Sequence, residues 1–395
     1  MLTSIPLFSS TAWPYRLVRI AALSALGWWL LKAFFLPGYA QLPLEEEWAI
    51  TDFSRRSIGM EEITRGGPSK DGIPAIDEPE FVSTREAARW LTPKEPLVSL
   101  EHGGEARAYP LQILLYHEIV NDRIAGTPVT VTFCPLCYSA IVFDRRVNGT
   151  TLDFGTTGRV RKSDLVMYDR QTESWWQQFT GTGIIGKYTG VTLARLPSMI
   201  TSFESFRSSY PAGRVLSKAT GSNRPYGKNP YRNYDASSST PFLFNEPLDP
   251  RLPPMERILA LQVAGRQRIY PFAELRNQPV INDRLSGKAV TIFSKADVLS
   301  AVDAATIEHS RETLMAAAFS RELNGHTLVF RQAGDRIVDS GTGSVWNIVG
   351  KAVSGPLTGQ SLTPVDSGIH FAFAWLAFYP ETDIYRAGKD QLLQD

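Results

Sequence analysis

The chain has few of the residues that most catalytic and metal sites use: two cysteines, Cys134 and Cys137, and five histidines among 395 residues. The formal net charge is +1, and no long basic block interleaved with aromatic residues occurs, which excludes a nucleic-acid-binding protein. No Ser-His-Asp spacing, phosphate-binding loop or His-Glu-x-x-His motif appears, so hydrolase and nucleotide-dependent activities have no support. The sequence alone does not decide whether the protein is an enzyme.

The composition is that of an ordinary globular protein. With 43% hydrophobic and 21% charged residues, neither a disordered nor a fibrous chain is indicated. The length suffices for roughly two domains, since a domain usually has about 100–200 residues.

The N-terminal segment has the pattern of an exported protein. Arg16 and Arg19 precede an apolar stretch over residues 20–36 that one lysine interrupts, and positive charge followed by an apolar run marks export. The small residues of Gly38-Tyr39-Ala40 suit cleavage, whereas the apolar length also suits an uncleaved membrane anchor. We therefore expect residues 1–40 to be a signal peptide or a membrane anchor with an apolar helix. The rest of the chain is then extracytoplasmic, either periplasmic or at the outer face of the inner membrane, with the membrane as a partner.

Two segments of the chain resemble each other. Identical residues recur at a constant offset of 161 positions, in the pairs Tyr109 and Tyr270, Asn121 and Asn282, and Gly126 and Gly287. The match resumes downstream at another offset, as insertions in surface loops would produce, with Asp169, Thr172, Ser174 and Trp176 aligning with Asp339, Thr342, Ser344 and Trp346. The sequence predicts two diverged copies of one unit, arranged about a pseudo-twofold axis. Since Asp169 and Asp339 occur in both copies, we interpret them as turn residues.

Short runs of alternating or β-branched residues, such as residues 129–133, predict strands, and Asn148-Gly149 predicts a hairpin. Helical patterns are confined to residues 111–119, 203–209 and 371–378. The predicted fold is therefore β-rich α+β. The predicted parts are a signal peptide or anchor (1–40), an N-terminal extension (41–91), a first repeat unit (92–215), a linker (216–254) and a second repeat unit (255–390).

The linker is rich in tyrosine and proline, with Arg224-Pro225-Tyr226-Gly227 followed by Tyr231. Such a composition fits a plain linker, but several tyrosines in a polar loop also fit a segment that packs over a surface or a cleft. Under the second interpretation, Arg224, Tyr226 and Tyr231 are candidate binding residues.

Four motifs carry a resemblance to a known family: Asp71-Gly72-Ile73-Pro74-Ala75-Ile76-Asp77, His117-Glu118-Ile119-Val120-Asn121-Asp122, Thr132-Phe133-Cys134-Pro135-Leu136-Cys137 and Met167-Tyr168-Asp169-Arg170-Gln171-Thr172. With these, the chain resembles the bacterial domain of unknown function 3179 from about residue 65 to 385. The resemblance implies export and a single architecture. It also identifies His117, both cysteines, the Arg224 motif and Gly368-Ile369-His370-Phe371 as family motifs. One departure is Tyr138, where the family pattern commonly has glycine.

The cysteine pair has several possible uses. An unprotected pair this close is oxidised in an oxidising compartment, and a staple across so short a loop would stabilise the fold little. A redox couple needs a thiol of lowered pKa, usually at a helix N-terminus, but the residues after Cys137 alternate like a strand. A zinc knuckle needs a second cysteine pair, which the sequence lacks.

A mixed thiolate and imidazole metal site is the leading hypothesis, with Cys134 and Cys137 joined by His370 or His117. The second copy has Lys295 and Val298 where the first has its cysteines, so one copy has specialised. The sequence thus favours an extracytoplasmic protein that binds a soft metal, with copper before zinc. The alternatives are a thiol–disulfide redox protein and a non-catalytic binding module whose cleft lies under the tyrosine-rich linker.

Overall fold

The computed structural model describes residues 44–387. The predicted signal peptide or anchor over residues 1–40, with its apolar helix, and the last residues of the predicted second unit lie outside these described residues. The described α-helices are all short: α1 (Leu44–Glu47), α2 (Thr84–Ala87), α3 (Leu111–His117), α4 (Phe203–Ser209), α5 (Phe272–Asn277) and α6 (Ala372–Phe378). Within the described part of the chain, none of the helices has the length and apolar character needed to cross a membrane.

Strands make up most of the regular structure. Those before residue 220 are β1 (Ile63–Arg65), β2 (Phe81–Ser83), β3 (Pro96–His102), β4 (Glu105–Pro110), β5 (Ile119–Ile124), β6 (Thr127–Cys134), β7 (Ser139–Asp144), β8 (Arg146–Val147), β9 (Thr150–Thr151), β10 (Phe154–Arg161), β11 (Asp164–Asp169), β12 (Trp175–Gln177), β13 (Thr182–Ile185), β14 (Arg195–Leu196), β15 (Ser198–Ser202) and β16 (Arg214–Leu216). Those after residue 250 are β17 (Arg257–Val263), β18 (Arg266–Pro271), β19 (Val280–Leu285), β20 (Lys288–Leu299), β21 (Glu312–Ser320), β22 (Glu322–Leu323), β23 (His326–Thr327), β24 (Phe330–Ala333), β25 (Arg336–Asp339), β26 (Val345–Trp346), β27 (Ala352–Ser354), β28 (Ser367–Phe371) and β29 (Asp383–Ile384).

The predicted β-rich α+β class is confirmed, since 43% of the chain is strand and only 12% is helix. The helix predicted over residues 203–209 has these bounds, and the one predicted over 371–378 begins one residue later. The helix predicted over residues 111–119 ends at His117, because Glu118 takes a left-handed backbone conformation with φ 56°. The change of direction at Glu118 determines which side chains face the site described below.

The sheets on the two sides of the linker have similar strand orders. Before the linker they run β15-β3-β4-β16-β2, β14-β7-β6-β5 and β1-β10-β11-β12-β13, and after it β28-β17-β18-β29, β19-β20-β21 and β24-β25-β26-β27. In each half a hairpin leads into a short helix, which leads into an antiparallel meander. Residues 41–91, predicted as an extension, supply β1 and β2 to two of these sheets.

Buried polar residues make the same contacts in both halves. Tyr109 donates a hydrogen bond to Asp122 at 2.6 Å, and Tyr270 donates one to Asp283 at 2.5 Å. An arginine pairs with each of these carboxylates. Such contacts satisfy polar groups in the interior, and each pins the first sheet of its half to the second.

The helix α1 belongs to a compact unit that ends at Ala49, and another compact unit begins at Ile50. The second unit contains the sheets and the linker. Its largest group of packed apolar side chains includes residues from both halves, together with Cys134, Cys137 and Tyr138. Both cysteines therefore lie in the main hydrophobic core.

Asp169 and Asp339 each organise a turn. Asp169 accepts hydrogen bonds from the backbone N–H of Thr172 at 2.7 Å and from the indole Nε1 of Trp176 at 2.9 Å. Asp339 accepts the same two bonds in the second half, at 2.6 and 3.1 Å. Both carboxylates thus connect a turn to a buried tryptophan.

We expect Asp169→Ala to lower the free energy of unfolding by about 2–4 kcal/mol, because the buried indole and turn N–H groups lose their acceptor. Asp339→Ala should have an effect of the same order. Urea denaturation followed by tryptophan fluorescence measures both, with Asp335→Ala, at an exposed position, as the control. Unchanged stability of Asp169→Ala would contradict this role.

Candidate metal centre

The two cysteines lie at the tip of the β6–β7 hairpin. Cys134 is the last residue of β6 and pairs with Ser139, the first residue of β7, so residues 135–138 form the connecting turn. Tyr138 adopts φ 52° in this turn, a left-handed conformation that favours glycine. Its ring is buried, and the guanidinium of Arg257 lies 4.0 Å from the ring centroid. Tyrosine therefore fills the space beside the turn at the cost of backbone strain.

A carboxylate completes the thiol cluster. Asp164 begins β11 after the two-residue turn Lys162-Ser163, whose φ values of 53° and 67° are those of the favoured hairpin turn. The sulfur atoms of Cys134 and Cys137 and a carboxylate oxygen of Asp164 all lie within 4.8 Å of one another. The two thiols also approach the carbonyl oxygen of Ser163, at 3.8 and 3.5 Å. We call Cys134, Cys137 and Asp164 the thiol–carboxylate cluster.

The carboxylate of Asp164 has one satisfied oxygen and one orphaned oxygen. Oδ2 accepts hydrogen bonds from Gln177 Nε2 at 2.6 Å and from the backbone N–H of Phe179 at 2.9 Å. Oδ1 is buried and accepts no hydrogen bond from an N–H or O–H group of the described residues, and the weak thiol donors of Cys134 and Cys137 are the other donors that approach this carboxylate. A buried oxygen without a donor is costly, and a cation between it and the two sulfurs would remove that cost. The residues present therefore fit a bound metal ion.

Burial controls the charges around the cluster. It raises the pKa of Asp164 to about 7, although hydrogen bonds from Gln177 and Phe179 act in the opposite direction. Burial, with the negative charge of Asp164, raises the pKa of Glu118 to about 8. Burial also raises the pKa of both thiols, and that of Cys137 by more. Without a cation, both thiols are therefore protonated at neutral pH, and Asp164 is protonated in about half of the molecules.

His117 is held away from the cluster by two hydrogen bonds. Its Nδ1 lies 2.7 Å from the carbonyl oxygen of Pro74, and its Nε2 lies 2.6 Å from the hydroxyl of Tyr226. The charge of the next residue, Glu118, contributes to the raised pKa of Cys134, and the charge of Asp164 contributes to the raised pKa of Glu118. Of this motif, the carboxylate is the group coupled electrostatically to the cluster.

His370 is buried in an aromatic environment. Its ring centroid lies 4.8 Å from that of Phe179 and 5.3 Å from that of Trp375. Burial lowers the pKa of His370 to about 3, so the ring is neutral. Neither His370 nor His117 belongs to the group that the structure brings together, which consists of the two cysteines and Asp164.

The tyrosine-rich linker packs over the cysteine turn. Tyr234 donates a hydrogen bond to the carbonyl oxygen of Leu136, between the cysteines, at 3.1 Å.

The predicted binding residues of the linker interact with the His117-Glu118 segment. Burial, together with the negative charges of Glu118 and Cys134, raises the pKa of Tyr231. Arg224 is partly exposed, and its positive charge lowers the pKa of His117 after the larger effect of burial. Tyr226 and Tyr231 thus lie beside the His117-Glu118 segment.

Backbone contacts hold the same linker to the second half of the chain. Asn229, Asn233 and Tyr234 donate backbone hydrogen bonds to residues 305, 303 and 302, at 2.9, 2.6 and 3.0 Å. The linker therefore connects the second half to the surroundings of the cluster.

Sequence reasoning missed Asp164 and Glu118. Asp164 follows a turn, where aspartate is common and indicates no function. Only the position of the β10–β11 hairpin brings it to the cysteines. Glu118 stands in the motif that identified His117, and the end of the helix there decides which of the two side chains is coupled to the cluster.

We expect metal-free protein to lose stability as the pH rises from 5 to 9. The folded-state pKa of Asp164 lies above its ordinary value of 3.8. The stabilising contribution of this group is thus complete below about pH 4 and is lost as the pH rises through about 7. Between pH 5 and 9, Asp164→Asn should remove up to about 3 kcal/mol of this loss. Urea denaturation of chelator-treated protein at several pH values measures the effect, with Asp335→Asn as the control. Equal slopes for wild type and Asp164→Asn would refute it.

Neither a curated protein nor a solved structure matches this chain. The family model described as "Protein of unknown function (DUF3179)" matches residues 70–382, which include the thiol–carboxylate cluster and both halves of the fold. Because the match covers most of the chain, the protein belongs to the DUF3179 family.

Proposed function

We propose that this protein binds a thiophilic metal ion through Cys134, Cys137 and Asp164 on the extracytoplasmic side of a membrane. The observation that carries the proposal is the orphaned, buried Oδ1 of Asp164, which lies in a group with two buried sulfur atoms. A metal ion would supply the positive charge that the hydrogen bonds to Asp164 do not, because these come from a neutral amide and a backbone N–H.

The donor set favours zinc. Zinc accepts cysteine sulfur at about 2.3 Å and carboxylate oxygen at about 2.0–2.2 Å, which places tetrahedral ligand atoms roughly 3.5–3.8 Å apart. The three donors, within 4.8 Å of one another, need only a small contraction. The sequence favoured copper because a soft set of thiolates and imidazole outside the cytoplasm was expected. A carboxylate oxygen is a harder ligand, which suits zinc better than copper(I).

Glu118 is a candidate for a fourth ligand. It is buried, its pKa is raised by the charge of Asp164, and its own charge raises the pKa of Cys134. Its left-handed backbone directs the chain into β5 directly after α3. A fourth oxygen would complete the coordination that structural zinc sites usually have.

The thiols are poorly suited to disulfide exchange. Both are buried, and burial raises their pKa, whereas a reactive cysteine is partly exposed and has a lowered pKa. Cys137 is followed by a strand rather than a helix. We therefore do not propose a redox role, which the metal-binding experiment below would nevertheless detect.

We also propose that the two halves arose by duplication and that the first half specialised. Support comes from the repeated strand orders and from the buried contacts of Asp122 and Asp283. In the second half, the sequence offset of 161 positions gives Lys295 and Val298 at the cysteine positions. The metal centre would then belong to the first half alone.

We expect the reduced protein to bind about one zinc ion per chain, measured by elemental analysis after gel filtration. Cys134→Ser with Cys137→Ser should abolish binding, and Asp164→Asn should weaken it by about 100-fold or more in competition with a chromophoric chelator, since even outer-shell changes weaken zinc binding by about 10–100-fold. Asp335→Asn, a matched change at an exposed position, should bind like wild type.

Two results would contradict the metal centre. One is reduced protein that stays free of zinc and copper after incubation with either ion. The other is an Asp164→Asn variant with wild-type affinity. Protein that forms a stoichiometric, reversible Cys134–Cys137 disulfide and binds no metal would support the redox role instead.

The proposed location has its own test. Alkaline phosphatase fused after residue 43 should be active in a bacterial host, because that enzyme needs the disulfides that form outside the cytoplasm. A matched fusion without residues 1–40 should be inactive. Equal activity of the two fusions would refute an export role for the segment.

A further inference from the structure

A polar cavity is lined by Arg257, whose guanidinium stacks on Tyr138 of the cysteine turn. Its volume is about 400 Å³, and its lining includes three arginines and two acidic residues: Arg257, Arg276, Arg311, Asp235 and Glu256. Cavities of this size accommodate small molecules. No part of the thiol–carboxylate cluster lines it.

Two of these charged residues are buried and incompletely satisfied. Arg257 is 7% exposed and Asp235 is 4% exposed. Nη2 of Arg257 donates to Asp235 Oδ2 at 2.6 Å and to Ser300 Oγ at 2.7 Å. Nε of Arg257 is buried without a partner in the described part of the chain. A buried guanidinium with unused donors at a cavity wall is a ready binding group for an anion.

The ion pairs at this cavity leave one arginine of its lining without an acidic partner among the described residues. Asp235 is shared between Arg257 and Arg311, at 2.6 and 2.8 Å. Glu256 already accepts a hydrogen bond from the backbone N–H of Ala273, at 2.9 Å. Arg276, on the exposed side of α5, forms no ion pair with any residue between 44 and 387. Arg311 also pairs with Asp303, at 2.9 Å. Arg276 is therefore the guanidinium of this lining that no carboxylate of the described residues neutralises.

The remaining lining residues indicate which other groups the ligand would carry. Ser237 and Thr313 contribute hydroxyl groups, and Met255 and Phe272 contribute apolar surface. Guanidinium groups bind planar carboxylates and phosphates with paired hydrogen bonds. A small organic molecule that carries such a group matches both the charge and the apolar wall.

We infer that this cavity binds a small organic anion with a carboxylate or phosphate group. Arg257 connects this cavity to the surroundings of the cluster in space, because its guanidinium stacks on the ring of Tyr138, the residue after Cys137. The inference does not depend on the proposed metal function, since the cavity has its own residues.

Isothermal titration of the full-length protein with succinate and, separately, with inorganic phosphate tests the inference at constant ionic strength. At least one probe should bind, and Arg276→Ala should weaken that binding by about 10-fold, the usual effect of losing one charge-assisted hydrogen bond. Arg311→Ala should weaken it at least as much. The matched control is Arg266→Ala, at an exposed arginine on β18 that does not line the cavity.

The probe that binds identifies the class of anion, carboxylate or phosphate. Binding of neither probe at millimolar concentration would overturn the inference, as would wild-type affinity of Arg276→Ala or equal weakening by Arg266→Ala. Thermal unfolding of each variant checks that it is folded, and Arg276, on an exposed helix surface, should not affect folding. Zinc content of Arg276→Ala should equal that of wild type, which separates this test from the test of the metal centre.

Discussion

The structure depends most on the burial of a carboxylate beside two thiols. The hydrogen bonds that Asp164 receives come from groups without charge, so its ionised form is disfavoured unless a cation is near. The same holds for Glu118, whose pKa is raised by burial and by Asp164 itself. These buried groups are stable when they are protonated or when a metal ion replaces the protons. The metal proposal follows from this requirement more than from the cysteine motif.

The fold brings these groups together through strained connections. Four residues without the freedom of glycine take left-handed conformations around the cluster, namely Glu118, Tyr138, Lys162 and Ser163. Each such residue costs about 1–2 kcal/mol, and strain of this sort tends to concentrate at functional sites. Three of these residues belong to the turns that carry the cluster, since Tyr138 follows Cys137 and Lys162-Ser163 precedes Asp164.

Much of the fold follows from local patterns, whereas the site does not. Alternation along residues 129–133 and the apolar period of residues 203–209 depend on neighbours in the chain, and the structure contains the expected strand and helix. The pairing of Asp164 with Cys134 depends on where one hairpin packs against another, which no local pattern encodes. Imidazole ligands were expected because histidine commonly binds metal ions together with cysteine. Instead, α3 stops at His117, whose ring is hydrogen-bonded to Tyr226, and Glu118 is the residue of this motif whose charge acts on Cys134.

The linker ties the surroundings of the cluster to the second half of the chain. Tyr234 reaches the cysteine turn, and its backbone is fixed to residue 302 in the second half. Three side chains of the first half therefore lie under a segment that the second half holds in place. An ion bound there would have to pass this cover to leave, so the rate of its release would depend on the contacts between the linker and the second half as well as on its bonds to sulfur and oxygen.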